Sequence, residues 1–500
     1  MAVSSSEVNL LVYRYLQESG FTHSAFTFGY ESLVHKSTVA NADLPPGALV
    51  SILQKGLQYI EIEAHLNEDG SERTIPEPFA LLAPEAVREH RAQAMASESF
   101  LRSQEQLAQD AQDRISGKLV GNDRVTTLRG HSSEVFICSW NPKLDLLASG
   151  SKDSTARLWQ IPHGDCGPAA GEMANKTTFV LKHVGDGAGS TEHKDVTTLD
   201  WNKNGTLLAT GTFDGQARIW TREGALKSTL TKHAGPIFSL KWNESGNYLL
   251  SGSVDKSAIV WDAATGSVKQ QFNFHSQPTL DVDWLDENSF ATCSSDRLIH
   301  VCELGLDKPK VTFVGHEDEV NAIKWDPSKK MLASCSDDGT AKLWKIDHAE
   351  TMAMEVDESG GDDPRNMWVH SFDDHKKEVY TIRWSPCGEG SANPNKPLLL
   401  ASASFDSDIM LWDVETTKRV QWLRNHTNPV YSVSFSPDGN YLASGAFDKC
   451  LHVWSVKDGS LIKTLRGPGG IFDVCWNATG DKIAAGFSDN SVAVIDLKMM

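Results

Sequence analysis

The chain has 500 residues, of which 40% are hydrophobic and 23% charged, and its formal net charge is −19 at pH 7. This balance predicts a globular protein of more than one domain or a repeat array, and the acidic charge argues against phosphate-backbone binding and favours basic partners. The chain has no long apolar run, no signal peptide and no C-x-x-C pair. The sequence therefore predicts a protein that does not span a membrane, is not secreted and does not bind zinc.

Residues 4–36 are predicted to form a helical dimerisation motif. Apolar residues recur at the spacing of one helix face, Gly20 is placed to end that helix, and a second short helix, THSAFTFGYE, follows. Two helices this short cannot bury their apolar faces alone, so we expect them to pair with another copy of the chain. The residues expected at that contact are Leu11, Tyr15, Leu16, Phe21, Ala25 and Phe28.

Residues 41–90 and 91–122 connect this motif to the rest of the chain. Within the first segment, LPPGALVSILQKGLQYIEIEAHL predicts one or two amphipathic helices that begin at a proline. The second is rich in Ala, Gln and Glu but sustains no heptad repeat, so it is predicted to be a helical or flexible linker.

Residues 123–500 contain an internal repeat. An aspartate is followed six residues later by a tryptophan in six units, and a β-branched or similar residue precedes an aromatic by five positions in eight units. Thirteen of the 15 tryptophans occupy these two positions. A histidine stands four residues before the β-branched position in six units and three before it, as His193, in a seventh. The histidines recur with a period of about forty residues, interrupted by insertions.

This pattern resembles the WD-repeat family, whose unit of about 40 to 45 residues folds as one four-stranded propeller blade. The residues that carry the resemblance include GH at 130–131 and 315–316 and WD at 261–262 and 412–413. We therefore expect an all-β, eight-bladed WD-repeat propeller preceded by a small all-α region. Residues 124–130, RVTTLRG, are expected to supply the outer strand of the last blade and so to close the ring.

The resemblance also implies a buried hydrogen-bonded chain in each blade, formed by the histidine, a serine or threonine two residues before the aspartate, the aspartate and the tryptophan. A hydrolase triad is the alternative for these residue types, but a catalytic set is needed once and this set recurs in about seven units. The fourth, seventh and eighth units depart from the pattern, with Cys302, Ala446 and Ile495 at marker positions. The four complete sets are His131, Ser151, Asp153 and Trp159; His233, Ser253, Asp255 and Trp261; His316, Ser336, Asp338 and Trp344; and His375, Ser404, Asp406 and Trp412.

Aromatic residues stand beside the repeat markers, either directly after the β-branched position or directly before the aspartate. In propellers that this chain resembles, both positions lie near the upper mouth of the central channel, where aromatic faces hold an arginine or lysine side chain. Packing between neighbouring blades is the alternative. With carboxylates that would supply countercharge, the predicted partner-binding residues are Phe136, Phe213, Phe238, Tyr380, Phe405, Tyr431, Phe447, Phe472, Asp318, Glu319 and Glu378.

Insertions lengthen several units. Residues 160–192 are Gly-rich and are predicted to be flexible. Residues 347–363 hold seven acidic residues and no Lys or Arg, which predicts either a solvated excursion or a docking site for a basic peptide.

The N-terminal stretch VNLLVYRYLQESGFTHSAFTFGYES resembles the LisH dimerisation motif, and PPGALVSILQKGLQYIE resembles an F-box-like region. Together with the eight WD units and the acidic insertion, they make the chain similar to the transducin beta-like 1 family of nuclear corepressor subunits. The resemblance implies a non-enzymatic nuclear scaffold, without cofactor, catalytic residue or metal, that assembles as a dimer or tetramer through LisH.

The partners that the resemblance implies are a nuclear-receptor-type corepressor polypeptide, a class I histone deacetylase, histone tails and ubiquitin-conjugating machinery. Neither a specific nucleic-acid sequence nor a membrane is an expected partner. A substrate receptor of a cullin-type ubiquitin ligase is the main alternative. A dynein-regulating LisH/WD protein is a further one, although it would be expected to have a coiled coil and seven blades.

Overall fold

The computed structural model describes residues 5–18, 22–32, 118–162, 167–176, 178–183, 194–347 and 368–497, with isolated positions between 34 and 55. The chain divides into two compact units, residues 1–107 and 108–500. Almost all of the predicted F-box-like segment, most of the linker and of the acidic insertion, and both Phe21 and His193 lie outside the described residues. No helix in the described ranges is long and apolar enough to cross a membrane.

The first unit contains a helical hairpin of α1 (Ser5–Glu18) and α2 (Thr22–Glu31), which pack against each other. Leu10 and Ala25 are buried in the single chain, with 4% and 3% of their surfaces exposed. The hairpin therefore leaves part of its apolar surface open to solvent. The predicted dimerisation residues that stay half-buried or exposed are Leu11, Tyr15, Leu16 and Phe28.

The second unit is the predicted eight-bladed propeller, built from eight four-stranded antiparallel sheets. Each inner strand buries its first residue and, in most blades, its final aromatic residue, while the position after the first stays partly accessible. The inner strands are β2 (Val135–Trp140), β6 (Val196–Trp201), β10 (Ile237–Trp242), β14 (Thr279–Trp284), β18 (Val320–Trp325), β22 (Val379–Trp384), β26 (Val430–Phe435) and β30 (Ile471–Trp476).

The second strand of each blade is buried on both faces, because neighbouring blades pack against it from both sides. Small residues are therefore required there. A side chain at Gly252, for example, would bring its Cβ within 2.9 Å of Val282 in the next blade. These strands are β3 (Leu146–Ser151), β7 (Leu207–Thr212), β11 (Tyr248–Ser253), β15 (Ser289–Ser294), β19 (Leu332–Ser336), β23 (Leu399–Ser404), β27 (Tyr441–Ala446) and β31 (Lys482–Phe487).

The third strand of each blade carries the repeat tryptophan, or the residue that replaces it. These strands are β4 (Thr155–Gln160), β8 (Gln216–Thr221), β12 (Ala258–Asp262), β16 (Ile299–Glu303), β20 (Ala341–Trp344), β24 (Asp408–Asp413), β28 (Cys450–Ser455) and β32 (Val492–Asp496).

The outer strands of seven blades follow their third strands along the chain. They are β5 (Phe179–Lys182), β9 (Leu226–Thr231), β13 (Val268–Phe272), β17 (Val311–Phe313), β21 (His370–Phe372), β25 (Lys418–Arg424) and β29 (Leu461–Arg466). The eighth outer strand is β1 (Val125–Leu128), which pairs antiparallel with β32. The predicted closure of the ring by residues 124–130 is therefore confirmed.

The insertion at 160–192 is not simply a flexible loop, so that prediction was wrong for its described residues. It contains α3 (Pro168–Lys176) and then β5. The helix begins at a proline, whose fixed φ suits the first turn of a helix. The backbone N–H of Gly167 donates to Oγ1 of Thr126 at 3.0 Å, and that of Arg129 donates to Oδ1 of Asn175 at 3.1 Å. These contacts place α3 against β1, the outer strand of the eighth blade.

Candidate functional site: the upper face of the propeller

The hydrogen-bonded chain inside a blade is seen clearly in the third blade. Trp261 Nε1 donates to Ser251 Oγ at 2.9 Å, and Ser251 Oγ lies 2.7 Å from Nε2 of His233. Nδ1 of His233 lies 2.8 Å from a carboxylate oxygen of Asp255. Because an indole nitrogen only donates, Ser251 Oγ accepts from Trp261, and its own proton can go to Nε2 of His233 or to the carbonyl oxygen of Ile259 at 3.3 Å. Nδ1–H of His233 donates to Asp255, because an ionised carboxylate only accepts.

The serine in this chain is Ser251, so the prediction of Ser253 was wrong. Ser253 lies in the turn, where its Oγ donates to the carbonyl oxygen of Gly235 at 2.9 Å and accepts from the backbone N–H of Asp255 at 3.1 Å. The other predicted serines, Ser151, Ser336 and Ser404, make the same turn contacts. The residues that link histidine to tryptophan in those blades are Ser149, Ser334 and Ser402.

In the second blade, His183 takes the position that the sequence analysis assigned to His193. Its Nε2 lies 2.8 Å from Oγ1 of Thr210, which accepts from Trp220 Nε1 at 2.9 Å. Nδ1 of His183 points instead to the carbonyl oxygen of Ser154, at 3.2 Å. Val196 follows His183 by 13 positions, nine more than the usual four, and in this blade the second histidine nitrogen has a different partner.

The seventh blade has the complete chain, although Ala446 replaces its turn serine. His426 lies 2.8 Å from Ser444 Oγ, which accepts from Trp454 at 2.8 Å, and Nδ1 of His426 lies 2.9 Å from Asp448. The loss of the turn hydroxyl thus does not disturb the histidine or the tryptophan.

Electrostatics keep the aspartate of this chain ionised. Burial alone would raise the pKa of Asp255, but the hydrogen bond and the charge of His233, with a hydrogen bond from Ser257, outweigh it and hold that pKa well below its usual range. Burial lowers the pKa of His316, although Asp338 opposes the change. The Ser251 hydroxyl is fully buried and engaged by both neighbours, so it is not positioned as a nucleophile.

Among the described residues, His426, Asp448 and His452 bring possible metal-ligating atoms within 4.8 Å of one another. Both nitrogens of His426 are engaged by Ser444 and Asp448, and those of His452 by Thr464 and Asn425. This cluster fits a hydrogen-bond network better than a metal site.

Inner-strand side chains that the sequence analysis did not assign a role connect neighbouring blades. Carboxylates directly before an inner-strand tryptophan accept from the next blade's backbone: Asp200 from Trp242 N–H at 2.9 Å and Asp283 from Trp325 N–H at 2.8 Å. Indole N–H groups donate back to carbonyl oxygens of the preceding blade at 2.8–3.2 Å. The Asp-Trp ending of VTTLDW and TLDVDW was the available signal.

The upper face is the rim where the inner strands begin and the second strands end. A β-bulge interrupts the pairing of these two strands at the rim of every blade. In the seventh blade Val430 pairs with Ala446 and Ser432 with Gly445, so that Tyr431 is the unpaired bulge residue. Because a bulge redirects its extra residue, this geometry places the predicted aromatic position outside the ordinary strand alternation.

Six of the eight predicted aromatic residues contact one another in series, with ring centroids 5.4–6.4 Å apart. The series spans the sixth, seventh, eighth and first blades, so packing between blades is part of its role. Phe447 and Tyr380 nevertheless remain 47% and 37% exposed. Phe213 and Phe238 lie half-buried on the second and third blades. The aromatic arc consists of Phe136, Tyr380, Phe405, Tyr431, Phe447 and Phe472.

An acidic patch adjoins the arc on the fifth and sixth blades, and Glu378 lies two residues before Tyr380. Asn321 connects these blades, since its Nδ2 donates to Asp337 at 2.6 Å and to the carbonyl oxygen of Val379 at 3.0 Å. Burial raises the pKa of Asp337, and the carboxylates of Asp318 and Glu378 add to the rise. The patch consists of Asp318, Glu319, Asp337 and Glu378.

Within the patch, Glu319 is already engaged. It accepts a 2.8 Å hydrogen bond from Ser295 Oγ of the fourth blade. Asp318 is exposed and Glu378 half-buried, so these two carboxylates are more accessible to a cation. Aromatic faces beside clustered carboxylates form a surface suited to basic side chains.

Family models match both parts of the chain. The model "WD domain, G-beta repeat" matches residues 122–160, 188–221, 224–262, 307–345, 367–413, 417–455 and 459–496, and the LisH model matches residues 6–32. Residues 263–306, with the first three strands of the fourth blade and Cys302 in place of the tryptophan, lie between two WD matches.

Full-length relatives extend these matches. The chain is 48% identical to the mouse "F-box-like/WD repeat-containing protein TBL1X", with all of both chains covered. The chain belongs to the TBL1X/TBL1Y family. The human TBL1Y protein is 48% identical, with 99% of this chain and 100% of that protein covered. The Arabidopsis "WD40 repeat-containing protein HOS15" is 41% identical, with full coverage of both.

The family resemblance inferred from the sequence is thus confirmed, and the chain is a LisH-containing WD-repeat protein of the scaffold or regulatory type. The crystal structure of the C-terminal WD40 domain of Sif2 has the same fold. It matches with a TM-score of 0.60 and 23% identity over 76% of this chain and 99% of that one.

Proposed function

We propose that the protein is a non-enzymatic scaffold subunit of a nuclear corepressor and histone deacetylase complex. It self-associates through its LisH hairpin, which holds a nuclear-receptor-type corepressor polypeptide and a class I deacetylase. Its propeller binds histone tails or transcription factors at the upper face, and it recruits ubiquitin-conjugating machinery for corepressor exchange.

The observation that carries this proposal is the alignment of the whole chain, hairpin and propeller together, with the TBL1X/TBL1Y proteins. WD repeats alone would support little, since the fold serves many functions. The partly open face of α1 supports self-association, because Tyr15 is 37% exposed and Leu11 and Leu16 are only half-buried in the single chain. The hydroxyl that links histidine to tryptophan is buried and recurs from blade to blade, which supports a non-enzymatic role.

The upper face supports the assignment of histone tails as a partner class. Basic tails complement both the acidic patch and the chain's net charge of −19. The exposed rings of Tyr380 and Phe447 offer faces for lysine or arginine side chains.

Affinity purification of the tagged chain from nuclear and cytosolic extracts tests the complex. We expect a large corepressor and a deacetylase in the nuclear eluate, and their loss when residues 4–36 are deleted. Recovery of both partners with the deleted chain would contradict assembly through the hairpin. A cytosolic eluate containing dynein subunits would contradict the nuclear assignment.

Binding of a labelled histone-tail peptide tests the upper face separately. We expect Tyr380→Ala and Glu378→Lys each to weaken binding about tenfold, which corresponds to about 1.4 kcal/mol. Glu244→Lys is the matched control, because it makes the same charge change in the turn after β10, at the rim opposite the upper face. Equal weakening by the control would show that only net charge matters.

A substrate receptor of a cullin-type ubiquitin ligase is the second candidate, favoured by the words "F-box-like" in the names of the relatives. Purification of the chain with a cullin adaptor, and loss of that adaptor on deletion of residues 41–90, would support it. An eluate that contains the corepressor but no cullin adaptor would favour the scaffold.

A further inference from the structure

The outer strands of the propeller differ in how their free edges are covered. On the eighth blade, α3 packs against β1. On the seventh, residues 118–120 lie along β29: Val120 N–H donates to the carbonyl oxygen of Thr464 at 2.9 Å, and Thr464 N–H donates to that of Lys118 at 2.9 Å. The chain therefore pairs three of its own residues with the free edge of one blade through a single parallel β-bridge.

The outer edge of the sixth blade, which neighbours the seventh, is not covered by a helix or by an extra paired segment among the described residues. β25 stands at the end of its sheet and pairs only with β24. With seven residues, it is the longest of the eight outer strands. An uncovered strand of this length exposes backbone N–H and C=O groups that can pair with another extended segment.

The composition of β25 is opposite in charge to the chain as a whole. Its sequence, KRVQWLR, has three basic residues and no acidic one, whereas the chain has a net charge of −19. Val420 and Trp422 are 41% and 36% exposed. Tryptophan and arginine are residue types that dominate the binding energy of protein interfaces, and here they lie together at an exposed position.

A β-bulge aligns the two arginines with the tryptophan. The β24 partners of Arg419, Trp422 and Arg424 follow one another at intervals of two positions. These three side chains therefore share one face of the sheet. The guanidinium carbon of Arg424 lies 3.2 Å from the Trp422 ring centroid, and that of Arg419 lies 4.5 Å from it. The ring thus holds both cations in fixed positions at the edge of the blade.

Neighbouring carboxylates use only part of the hydrogen-bonding capacity of these arginines. Arg419 Nη1 donates to Asp374 at 2.7 Å, and Arg424 Nε lies 3.6 Å from Asp408. A guanidinium has five N–H donors in a fixed fork, so both arginines retain donors for an additional carboxylate.

We propose that the outer edge of β25 binds an extended acidic segment of a partner protein, which joins the sixth blade as a fifth strand. Backbone hydrogen bonds hold the segment along the edge, and its carboxylates face Arg419 and Arg424. The pairing of residues 118–120 with β29 shows the same mode on the neighbouring blade. This surface is separate from the upper face and carries the opposite charge preference, so the two proposals stand or fall independently.

Fluorescence anisotropy with the full-length chain tests the proposal. The probe is a short labelled peptide in which glutamate and valine alternate, with blocked ends. We expect it to bind at least about tenfold tighter than a lysine–valine peptide of the same length, and more weakly as salt is raised. N-methylation of alternate backbone nitrogens should abolish binding, because the edge hydrogen bonds are lost. Equal binding of the acidic and basic peptides, or of the N-methylated peptide, would overturn the proposal.

Variants locate the site. Arg424→Gln alone, and together with Arg419→Gln, should weaken binding of the acidic peptide at least about tenfold without changing the thermal unfolding midpoint of the chain. Lys269→Gln, on the outer strand of the third blade, is the matched control and should bind as the unaltered chain does. Unchanged affinity in the arginine variants would place the peptide elsewhere.

The chain's own acidic insertion is the competing occupant. A variant in which the acidic residues of 347–363 are replaced by their amides should bind the peptide with unchanged affinity. If instead the peptide binds only after this replacement, the edge is occupied by the chain itself and the partner assignment is wrong.

Discussion

The indole N–H of Trp242 donates a 3.0 Å hydrogen bond to the backbone carbonyl oxygen of Asp200 in the preceding blade. Equivalent bonds link five other pairs of neighbouring blades. Trp325 is the exception, because its Nε1 is buried without a hydrogen-bond partner in the described part of the chain. The inner-strand tryptophans therefore join blades to one another, whereas the third-strand tryptophans hold each blade together.

Replacing Trp242 by Phe should lower the free energy of unfolding by about 1 kcal/mol more than replacing Trp325 by Phe. Both changes remove similar buried area, but only the first breaks a hydrogen bond. Urea unfolding of the two variants measures the difference. Equal losses would mean that the indole bond adds nothing to the packing of the ring.

Ser251→Ala should destabilise the propeller by about 1 to 3 kcal/mol, because it leaves the Trp261 indole N–H and Nε2 of His233 buried without a partner. Ser253→Ala should cost less, about 1 kcal/mol, since it removes only a turn contact. The seventh blade, where Ala446 occupies the turn position beside an intact Ser444 chain, leads us to expect this order. Thermal unfolding of the two variants checks it, and a larger loss for Ser253→Ala would contradict it.

The fold followed from the sequence because the spacing of histidine, aspartate and tryptophan is visible along a single chain. The identity of the serine did not, because Ser251 and Ser253 are two residues apart on one strand, face the same side and recur together in most units. Ala446 was the signal that separates them, since the seventh unit keeps only the earlier hydroxyl.

Two other features were hidden for different reasons. His183 is separated from its β-branched marker by an insertion, so the usual spacing points to His193 instead. The Trp242–Asp200 bond joins residues about one repeat apart, and a repeat pattern places both positions without showing that neighbouring blades bring them together.

The stability of the propeller should fall as the pH is lowered from 7 to 5. Burial is the main cause of the low pKa values of His183, about 3, and His300, about 4. In the unfolded chain these groups take up protons near pH 6.5, so the unfolded state binds more protons across this window and gains relative stability. Each histidine should contribute a loss of about 2 kcal/mol between pH 7 and 5.

Urea unfolding at pH 7 and 5, comparing the unaltered chain with His300→Gln, measures this dependence. The variant should lose about 2 kcal/mol less over the same interval. The repeat aspartates act in a different window. Their pKa values are lowered, to about 2 for Asp296 and Asp406, so their contribution disappears only below about pH 4. An identical pH dependence in the variant would contradict the role of His300.

Replacing Leu11 and Leu16 together by Asp should convert the oligomer to a monomer while the propeller remains folded. Both side chains lie half-buried on α1 in the single chain, so a charge there opposes burial against a second copy. Gln17→Asp, at an exposed position of the same helix, is the control and should leave the assembly intact. Light scattering gives the mass, and an unchanged mass for the double variant would remove the hairpin as the assembly site.

The order in which the strands are synthesised sets a limit on when the ring can exist. β1 leaves the ribosome before any blade is complete, but its partner β32 is the last strand of the array in chain order. The seven earlier blades can form from consecutive strands, while the two ends of the array stay unjoined with open strand edges. A chain that stops before β32 therefore loses more than one strand, because the whole circle stays open and prone to aggregation. Nascent copies of this protein should depend on chaperones until β32 has emerged.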